Sequence, residues 1–299
     1  MSAFVLLIAC LLLGVLVARF ARPPMGLAQG LNWWVINIAL PAMVLDLVPR
    51  VQIEWQSWYL PVSQWLVFAG SFVLFRALGR HFGWSRARIG GLIIMGGLGN
   101  TSFLGYPLLE ALRGREGLAV GVVADQLGCF LMLAVSGTIV SAMYSGGHTR
   151  PREIALKVLK FPPFAALLLG ALVGMSGGWP PIAEDILLRV GSTLVPLALF
   201  SVGLRFRFHL GNGQALPVAL SLGWKLLVAP LLIVSVGWLC GVGGLTLTIA
   251  TLQASMAPMI SAAILCDQHH LDSPLANSIL GGGILLSLLT VPLWNLALP

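Results

Sequence analysis

Charged residues are scarce in this sequence. Aspartate, glutamate, lysine and arginine make up 9% of its 299 residues, whereas 58% are hydrophobic. A soluble globular domain carries about 25% charged residues, so these few charges cannot cover a water-facing surface around a core of this size. The low charge therefore excludes a soluble globular protein and indicates that lipid surrounds much of the chain.

Cysteine is also rare, and its four copies form no motif. Cys10, Cys129, Cys240 and Cys266 lie inside or at the ends of apolar runs, without a CxxC pair. We interpret them as small buried hydrophobic residues, which excludes a disulfide framework and a thiolate metal site. The sequence accordingly predicts no metal and no cofactor.

Histidines do not form a metal motif either. His269 and His270 lie between Asp267 and Asp272, an arrangement that is open to interpretation as a metal site. Adjacent histidines point to different helix faces, however, and the segment is a predicted loop between two helices. We therefore favour a solvated turn with helix-capping aspartates.

Positive charge exceeds negative charge, but it is not gathered on one face. The formal net charge is +7, a value that also suits nucleic-acid binding. The basic residues occur in short clusters between long apolar runs, which argues against a nucleic-acid partner. Membrane lipid is the expected partner instead.

Long apolar runs dominate the chain, and connections between them are short. A membrane-spanning helix needs roughly 20 such residues, and the first run, which no basic segment precedes, is expected to be a retained helix rather than a signal peptide. Ten spans are predicted: Ser2–Val17, Leu27–Val48, Trp58–Leu78, Ile89–Leu112, Gly117–Met143, Phe161–Met175, Ile186–Leu204, Ala215–Cys240, Leu245–Cys266 and Pro274–Ala297. The sequence predicts an all-α polytopic membrane protein.

The basic residues predict the orientation of these spans, because cytoplasmic loops are enriched in lysine and arginine. Four basic residues fall on one side: Arg50, Arg113, Arg115 and Arg189. Twelve fall on the other: Arg19, Arg22, Arg76, Arg80, Arg86, Arg88, Arg150, Arg152, Lys157, Lys160, Arg205 and Arg207. We predict that the second side is cytoplasmic, that the protein lies in the cytoplasmic membrane, and that both termini are outside.

Two pairs of prolines indicate an internal duplication. Pro41 and Pro196 are 155 residues apart in the second and seventh spans, and Pro107 and Pro258 are 151 residues apart in the fourth and ninth. Chance is the alternative, since proline is frequent in membrane helices. Halves of five helices must insert in opposite directions, so we predict inverted repeats at 1–145 and 161–299, joined by a cytoplasmic loop at 146–160.

The fourth and ninth spans carry polar interruptions. The fourth reads Gly96-Gly97-Leu98-Gly99-Asn100-Thr101-Ser102 before Gly105 and Pro107, and the ninth reads Gln253-Ala254-Ser255-Met256-Ala257-Pro258. Broken helices in corresponding positions of two inverted halves indicate a midplane binding site; simple kinks with glycine packing are the alternative. The predicted substrate-binding residues are Asn100, Thr101, Ser102, Gln253 and Ser255, and the predicted helix crossing involves Gly105, Pro107 and Pro258.

These motifs carry a family resemblance that covers essentially the whole chain. The chain resembles the auxin efflux carrier family, as a compact bacterial member, in the residues Leu40-Pro41, Asn100-Thr101, Gly105, Pro107-Leu108-Leu109 and Ala257-Pro258. The resemblance implies ten helices in a scaffold and a mobile transport domain, with elevator-type motion in a homodimer. It also implies small carboxylate substrates, such as the dicarboxylates malonate or malate, with Asn100 binding the carboxylate.

Two ionisable residues are predicted to lie deep in the membrane. At 1.5 Å per residue, Asp125 lies about 12 Å into the fifth span and Lys225 about 15 Å into the eighth. We consider a coupling role for Asp125 and a countercharge role for Lys225, but the two could also form a structural ion pair, or Lys225 could extend to the interface. Asp46 and Glu110, near helix ends, are expected to be solvated.

The predicted function is secondary transport of a small organic anion. A sodium- or proton-coupled symporter or antiporter of another solute with the same inverted architecture is the first alternative. An intramembrane enzyme is the second, but it requires a nucleophile and base, or a metal cluster, at a common depth. The sequence offers no such cluster, so we predict that the protein is not an enzyme.

Overall fold

The computed structural model describes residues 2–21, 23–51, 54–146, 150–205 and 213–298. Within these ranges the protein is helical and has no β-strand, which confirms the all-α prediction. Arg22, Arg207 and the side chain of Lys157, which the predicted orientation uses, lie outside the described residues.

Sixteen α-helices follow one another along these residues. The first eight are α1 (Ser2–Leu16), α2 (Leu27–Trp34), α3 (Leu40–Leu47), α4 (Tyr59–His81), α5 (Arg86–Gly97), α6 (Gly105–Ala124), α7 (Thr138–Ser145) and α8 (Pro151–Leu159). The others are α9 (Pro162–Met175), α10 (Pro181–Ser192), α11 (Leu194–Arg205), α12 (Ala215–Gly223), α13 (Ala229–Leu239), α14 (Gly244–Ala254), α15 (Ile260–Gln268) and α16 (Ser273–Ala297).

Short π and 3₁₀ turns join several of these helices into longer rods. The π turns are Val17–Ala21, Val35–Ala39, Asp125–Phe130, Leu133–Gly137 and Trp224–Val228, and the 3₁₀ turns are Val48–Arg50 and Trp55–Trp58. Six rods in the described ranges are long and apolar enough to cross a membrane: Leu27–Arg50, Trp55–His81, Gly105–Ser145, Pro181–Arg205, Ala215–Leu239 and Ser273–Ala297. Shorter apolar helices cover Val5–Ala21, Pro162–Met175 and Gly244–Ala254.

Helix packing separates the chain into two groups. In the first, α1 packs along α11, and α3 packs against α9 and α10. In the second, α4 packs against α5, α13 and α14, and α14 also packs against α6. Contacts between the groups, such as those of α6 with α1 and α3, are fewer.

Glycines allow the closest packing in the first group. A Cβ on Gly14 would lie 2.3 Å from the Phe200 carbonyl oxygen, and one on Gly203 would lie 2.2 Å from the Leu11 carbonyl oxygen. Small residues let membrane helices approach until their backbones touch. The α1–α11 pair therefore depends on glycine at both positions.

One predicted connection differs from the structure, and another agrees with it. The segment 146–160 was predicted as a loop, but it contains α8, which begins with Pro151 at its first position and carries Glu153 in its first turn. Both are signals of a helix start. The predicted gap between the fourth and fifth spans is present, because the backbone at Gly114 is non-helical, with φ 66° and ψ −166°, and two helical segments of α6 meet at a kink there.

Candidate functional site

The two predicted breaks are present and lie against each other. Helix α5 ends at Gly97 and α6 begins at Gly105, while α14 ends at Ala254 and α15 begins at Ile260. Between them, Gly99 and Pro258 form an antiparallel bridge. Both breaks leave the helical path, and they cross as short extended segments.

Main-chain hydrogen bonds hold this crossing together. The Asn100 amide donates to the Ala257 carbonyl at 2.7 Å, and the Met259 amide donates to the Leu98 carbonyl at 3.0 Å. Pro258 has no amide to donate, so it fits between the two bonds without an unpaired donor. Each break thus satisfies main-chain groups of the other, as an interrupted helix requires in a membrane.

The first break is anchored to a buried carboxylate. Asp125 lies in the π turn that follows α6 and is 1% exposed. Its carboxylate accepts hydrogen bonds from four side chains: from Thr101 Oγ1, from Ser102 Oγ at 2.7 Å, from Tyr106 Oη at 2.6 Å and from Gln126 Nε2 at 2.9 Å. These bonds give both carboxylate oxygens partners and fix the break relative to the α6 rod.

A cavity of about 270 Å³ opens beside the first break. Its polar lining includes Asn100, Ser102, Asp125 and Gln126. Its other described lining residues are Ile36, Leu40, Phe103, Phe130, Leu133, Phe161, Met259, Ile260, Ser261, Ile264, Leu265 and Gln268. The combination of an apolar wall and a few convergent polar groups is typical of a small-molecule site.

Two buried polar atoms on the cavity-lining side chains have no hydrogen-bond partner among the described residues. They are the Asn100 Nδ2 donor and the Gln126 Oε1 acceptor, both buried. A buried polar group without a partner is costly, so a molecule that reached either atom would gain a hydrogen bond there.

The predicted residues of the ninth span lie elsewhere. Gln253 donates through Nε2 to the Gly121 carbonyl at 3.1 Å, and Ser255 donates through Oγ to the Leu252 carbonyl at 2.8 Å. A Cβ on Gly105 would lie 2.9 Å from Gln253 Oε1. Neither Gln253 nor Ser255 lines the cavity. Gln253 therefore packs between the second break and α6.

Lys225 is close to the crossing but outside the cavity lining. Its side chain is fully buried, and its Nζ has no hydrogen-bond partner among the described residues. The π turn that carries it is held in place by Trp224, whose Nε1 donates to the Gly96 carbonyl at 3.1 Å. Because the Lys225 side chain is fully buried, it does not extend to the surface of the chain, as the alternative of reaching the membrane interface requires. No ion pair joins Lys225 to Asp125 in the described structure.

The prediction for Asp46 was wrong. This carboxylate is 3% exposed and pairs with Arg115 and, at 3.2 Å, with Arg50, which also contacts Glu184. A buried charge near a helix end needs partners, and here they come from α6 and from the turn after α3. Glu110, in contrast, is partly exposed.

The cysteine prediction was correct for bonding and partly wrong for burial. The four cysteines are free, and Cys129 and Cys266 are buried, but Cys10 is half-buried and Cys240 is exposed. Cys240 follows the last residue of α13, where the chain leaves the helical rod.

Sequence reasoning missed four polar residues at the site. Tyr106 and Gln126 bind Asp125, and Ser261 and Gln268 line the cavity. The only sequence signal was the presence of polar residues within or beside apolar runs. Their position relative to Asp125 depends on how the break folds back onto α6, which spacing does not give.

Comparison with known proteins identifies the family. The sequence profile of the membrane transport protein family matches residues 2–295. The chain is 30% identical to an "Uncharacterized transporter" of Methanothermobacter thermautotrophicus over 91% of its own length and 89% of the relative's. It is 28% identical to the "Uncharacterized transporter MJ1031" of Methanocaldococcus jannaschii, over 90% and 89% of the two chains. It is 23% identical to YfdV of Escherichia coli, also named an uncharacterized transporter, over 96% and 94%. These matches confirm the resemblance drawn from the motifs: the chain belongs to the membrane transport protein family, the family of the auxin efflux carriers.

Proposed function

We propose that this membrane transporter is a secondary carrier of a small organic anion, most simply a carboxylate. The observation that carries the proposal is the buried Asn100 amide. Its Nδ2 donor has no partner in the part of the chain that the structure describes, and its side chain lines the cavity at the helix crossing. An amide donates two hydrogen bonds without carrying a charge. It suits a carboxylate while leaving the empty site free of a fixed positive charge.

The neighbouring Asp125 supports coupling to protons in this proposal. An ionised Asp125 beside the cavity repels an anion at close range, so the anion binds best when a proton accompanies it. Asp125 is within the cavity lining, and a proton taken up there can cross the membrane with the substrate. The position of Asp125 in the cavity lining also supports the alternative of a proton-coupled carrier of another solute. Among the described residues, no observation gives comparable support to a sodium-coupled carrier.

The proposed architecture is a pair of inverted five-helix repeats at 1–145 and 161–299 that works as an elevator. Two observations support it: interrupted helices occur in both halves, and the helices pack as two groups with fewer contacts between them. The group containing α4, α5, α6 and α14 would be the mobile transport domain. The group containing α1, α3, α9, α10 and α11 would be the scaffold and, by family resemblance, the dimer contact.

An intramembrane enzyme has less support than a transporter. The described residues that line the cavity include no histidine and no cysteine, and the relatives are named transporters. A cavity serine beside a carboxylate, Ser102 with Asp125, lacks the separate base that a nucleophile requires.

Transport by purified protein in proteoliposomes tests the proposal. A panel of mono- and dicarboxylates should contain at least one substrate that is carried down its gradient and that raises the unfolding temperature of wild-type protein. Asn100→Ala should fold and insert, but both responses should require about tenfold more substrate or beyond. Normal stabilisation and uptake with Asn100→Ala would remove Asn100 from the site, and a panel without any hit would remove the carboxylate.

The proposed membrane orientation has its own test. Single cysteines at Ser2 and at Ser145, in a chain without Cys10, Cys129, Cys240 and Cys266, are labelled in intact cells by an impermeant thiol reagent. Ser2→Cys should react from outside, and Ser145→Cys should react only after the membrane is opened. The reverse pattern would invert the topology.

A further inference from the structure

Helix α8 lies at one face of the membrane, between the ends of two apolar segments. The rod Gly105–Ser145 ends shortly before it, and the apolar helix α9 begins shortly after it. The helix α8 has nine residues, which span about 14 Å at 1.5 Å per residue. This is less than half of a hydrocarbon core of about 30 Å, so α8 does not cross the membrane and must lie at its surface.

One side of α8 packs on the protein, and another side is exposed. Ile154 and Val158, four residues apart on one side, are half-buried, and α8 contacts α9 and the π turn Leu133–Gly137. Leu156 and Leu159, three residues apart on another side, are 42% and 62% exposed. Two exposed leucines on a surface helix suit the acyl-chain boundary of a lipid leaflet better than water.

The exposed side of α8 also carries two cations. At about 100° per residue, Arg152 and Lys160 fall in the same sector of the helix as the exposed leucines. Both side chains are exposed and form no ion pair among the described residues. Glu153, the acidic residue of α8, pairs with Arg150 at 3.8 Å. Leucines beside basic side chains that extend to the headgroups are typical of a helix in the interface of an anionic membrane.

Helix α8 is also linked to the wall of the candidate cavity. Phe161 follows the helix after one residue, lines the cavity and stacks on Phe130, with 3.9 Å between ring centroids and 14° between ring planes. Leu133, which belongs to the π turn that α8 contacts, lines the same cavity. The position of α8 at the membrane surface therefore affects the position of one cavity wall.

We propose that α8 binds anionic phospholipid headgroups of the cytoplasmic leaflet through Arg152 and Lys160, and that this binding holds the Phe161 wall of the cavity in place. The cytoplasmic leaflet is the anionic one, and the proposed orientation places α8 there. Each basic side chain near such a surface favours binding about fivefold. Where it concerns the substrate, the inference rests on the proposed transport function: anionic lipid should strengthen carboxylate binding.

Lipid selectivity at α8 tests this without any substrate. A fluorophore is attached to Ala155→Cys, an exposed position of α8, in a chain without the native cysteines. The protein is placed in phosphatidylcholine nanodiscs that contain brominated phosphatidylglycerol or brominated phosphatidylcholine in increasing fractions. Quenching by the two bromolipids should show a preference for phosphatidylglycerol of about tenfold or more, and equal quenching would overturn the inference.

Three double variants separate the charge of α8 from its shape and from the general surface potential. Arg152→Gln/Lys160→Gln should lower the preference to about twofold or less, whereas Arg152→Lys/Lys160→Arg keeps both charges and should keep the preference. Arg76→Gln/Arg80→Gln is the matched control, because it removes two exposed charges from the last turns of α4, on the same predicted side. It should also keep the preference. An equal loss in the control would overturn a lipid site on α8.

Hydrogen exchange tests the link to the cavity. Amides of α8 and of the π turn Leu133–Gly137 should exchange more slowly in nanodiscs with phosphatidylglycerol than in phosphatidylcholine alone, and Arg152→Gln/Lys160→Gln should lose this protection. Exchange in the turn that is the same in both lipids would overturn the link.

Carboxylate binding by wild type is measured separately in both kinds of nanodisc. Tighter binding with phosphatidylglycerol is expected, and equal binding in both lipids would overturn the effect on the site. Absence of binding in both would overturn the proposed substrate and leave the lipid preference of α8 intact.

Discussion

The two helix breaks differ in where their polar side chains point. In the first break, Ser102 and Asn100 face a cavity, and Thr101 and Ser102 bind Asp125. In the second, Gln253 and Ser255 bind main-chain carbonyls of the protein itself. The breaks share one main-chain arrangement, and each leaves a buried side-chain atom unpaired among the described residues, Asn100 Nδ2 in the first and Gln253 Oε1 beside the second. They differ in that only the side chains of the first are among the described residues that line the cavity. Similar sequence motifs therefore place polar side chains on a cavity in one half and against main-chain carbonyls in the other.

Substitution of Asn100 should give the largest effect and tests this comparison most directly. Losing a hydrogen bond to a charged group costs roughly 1.5–3 kcal/mol, so Asn100→Ala should weaken carboxylate binding about tenfold or more. Asn100→Asp should weaken it further through like-charge repulsion. Affinity is measured by substrate-dependent thermal stabilisation and by the concentration dependence of uptake.

Gln253→Ala is the counterpart on the second break. It removes the bond to the Gly121 carbonyl, so it should lower the unfolding temperature while changing substrate affinity by less than about threefold, in line with a weak indirect effect. An affinity loss equal to that of Asn100→Ala would make the two breaks equivalent and restore Gln253 as a substrate ligand.

Asp125→Asn should give the next effect, on coupling rather than on binding. The amide of asparagine stays neutral at any pH, so uptake should no longer respond to an imposed pH gradient, while carboxylate binding persists. Counterflow without a pH gradient is the control and should continue. Uptake that still follows the pH gradient would assign the proton to another group.

Gly283→Ala probes the bracing of the second break. A Cβ there would lie 2.3 Å from Pro258 Cδ, and such overpacking costs about 1–3 kcal/mol. The variant should unfold at a lower temperature than wild type. Gly223→Ala is the control, because its Cβ would meet nothing within 4 Å, and it should be as stable as wild type or slightly more stable. Equal losses in both variants would indicate that the contact with Pro258 is unimportant.

The smallest effects are expected from a matched pair of serines. Ser102→Ala removes one of four donors to Asp125, which should cost about 0.5–1.5 kcal/mol and slow uptake severalfold. Ser255→Ala removes a bond within its own helix end and should leave uptake unchanged. Uptake rates in proteoliposomes of equal protein content compare the two, and equal slowing would argue against the difference between the breaks.

Much of the fold was predictable from the sequence, because its signals are local. Apolar runs predicted the long helices, and the glycine and proline residues around Asn100 and Pro258 predicted where two of them stop. The ion pairs of Asp46 were not predictable, since Arg115 reaches it from a distant segment. The position of Gln253 outside the cavity lining was equally unpredictable from the sequence, because it depends on which face of α14 packs against α6. Local sequence signals predict where helices begin and end, but helix packing determines which groups each polar side chain contacts.

The hydrogen bonds between the breaks also affect how the chain is made. Asn100 and Leu98 enter the membrane early in synthesis, but the Ala257 carbonyl and Met259 amide that they pair with are translated much later. Unpaired main-chain groups are not stable in contact with lipid. Until the Ala257 carbonyl and the Met259 amide are made, the main-chain groups of the first break must therefore be shielded from lipid by the insertion machinery, neighbouring helices or water. The crossing is therefore complete only once the segment between α14 and α15 has been made, and a chain that ends before it leaves the first break without these main-chain partners.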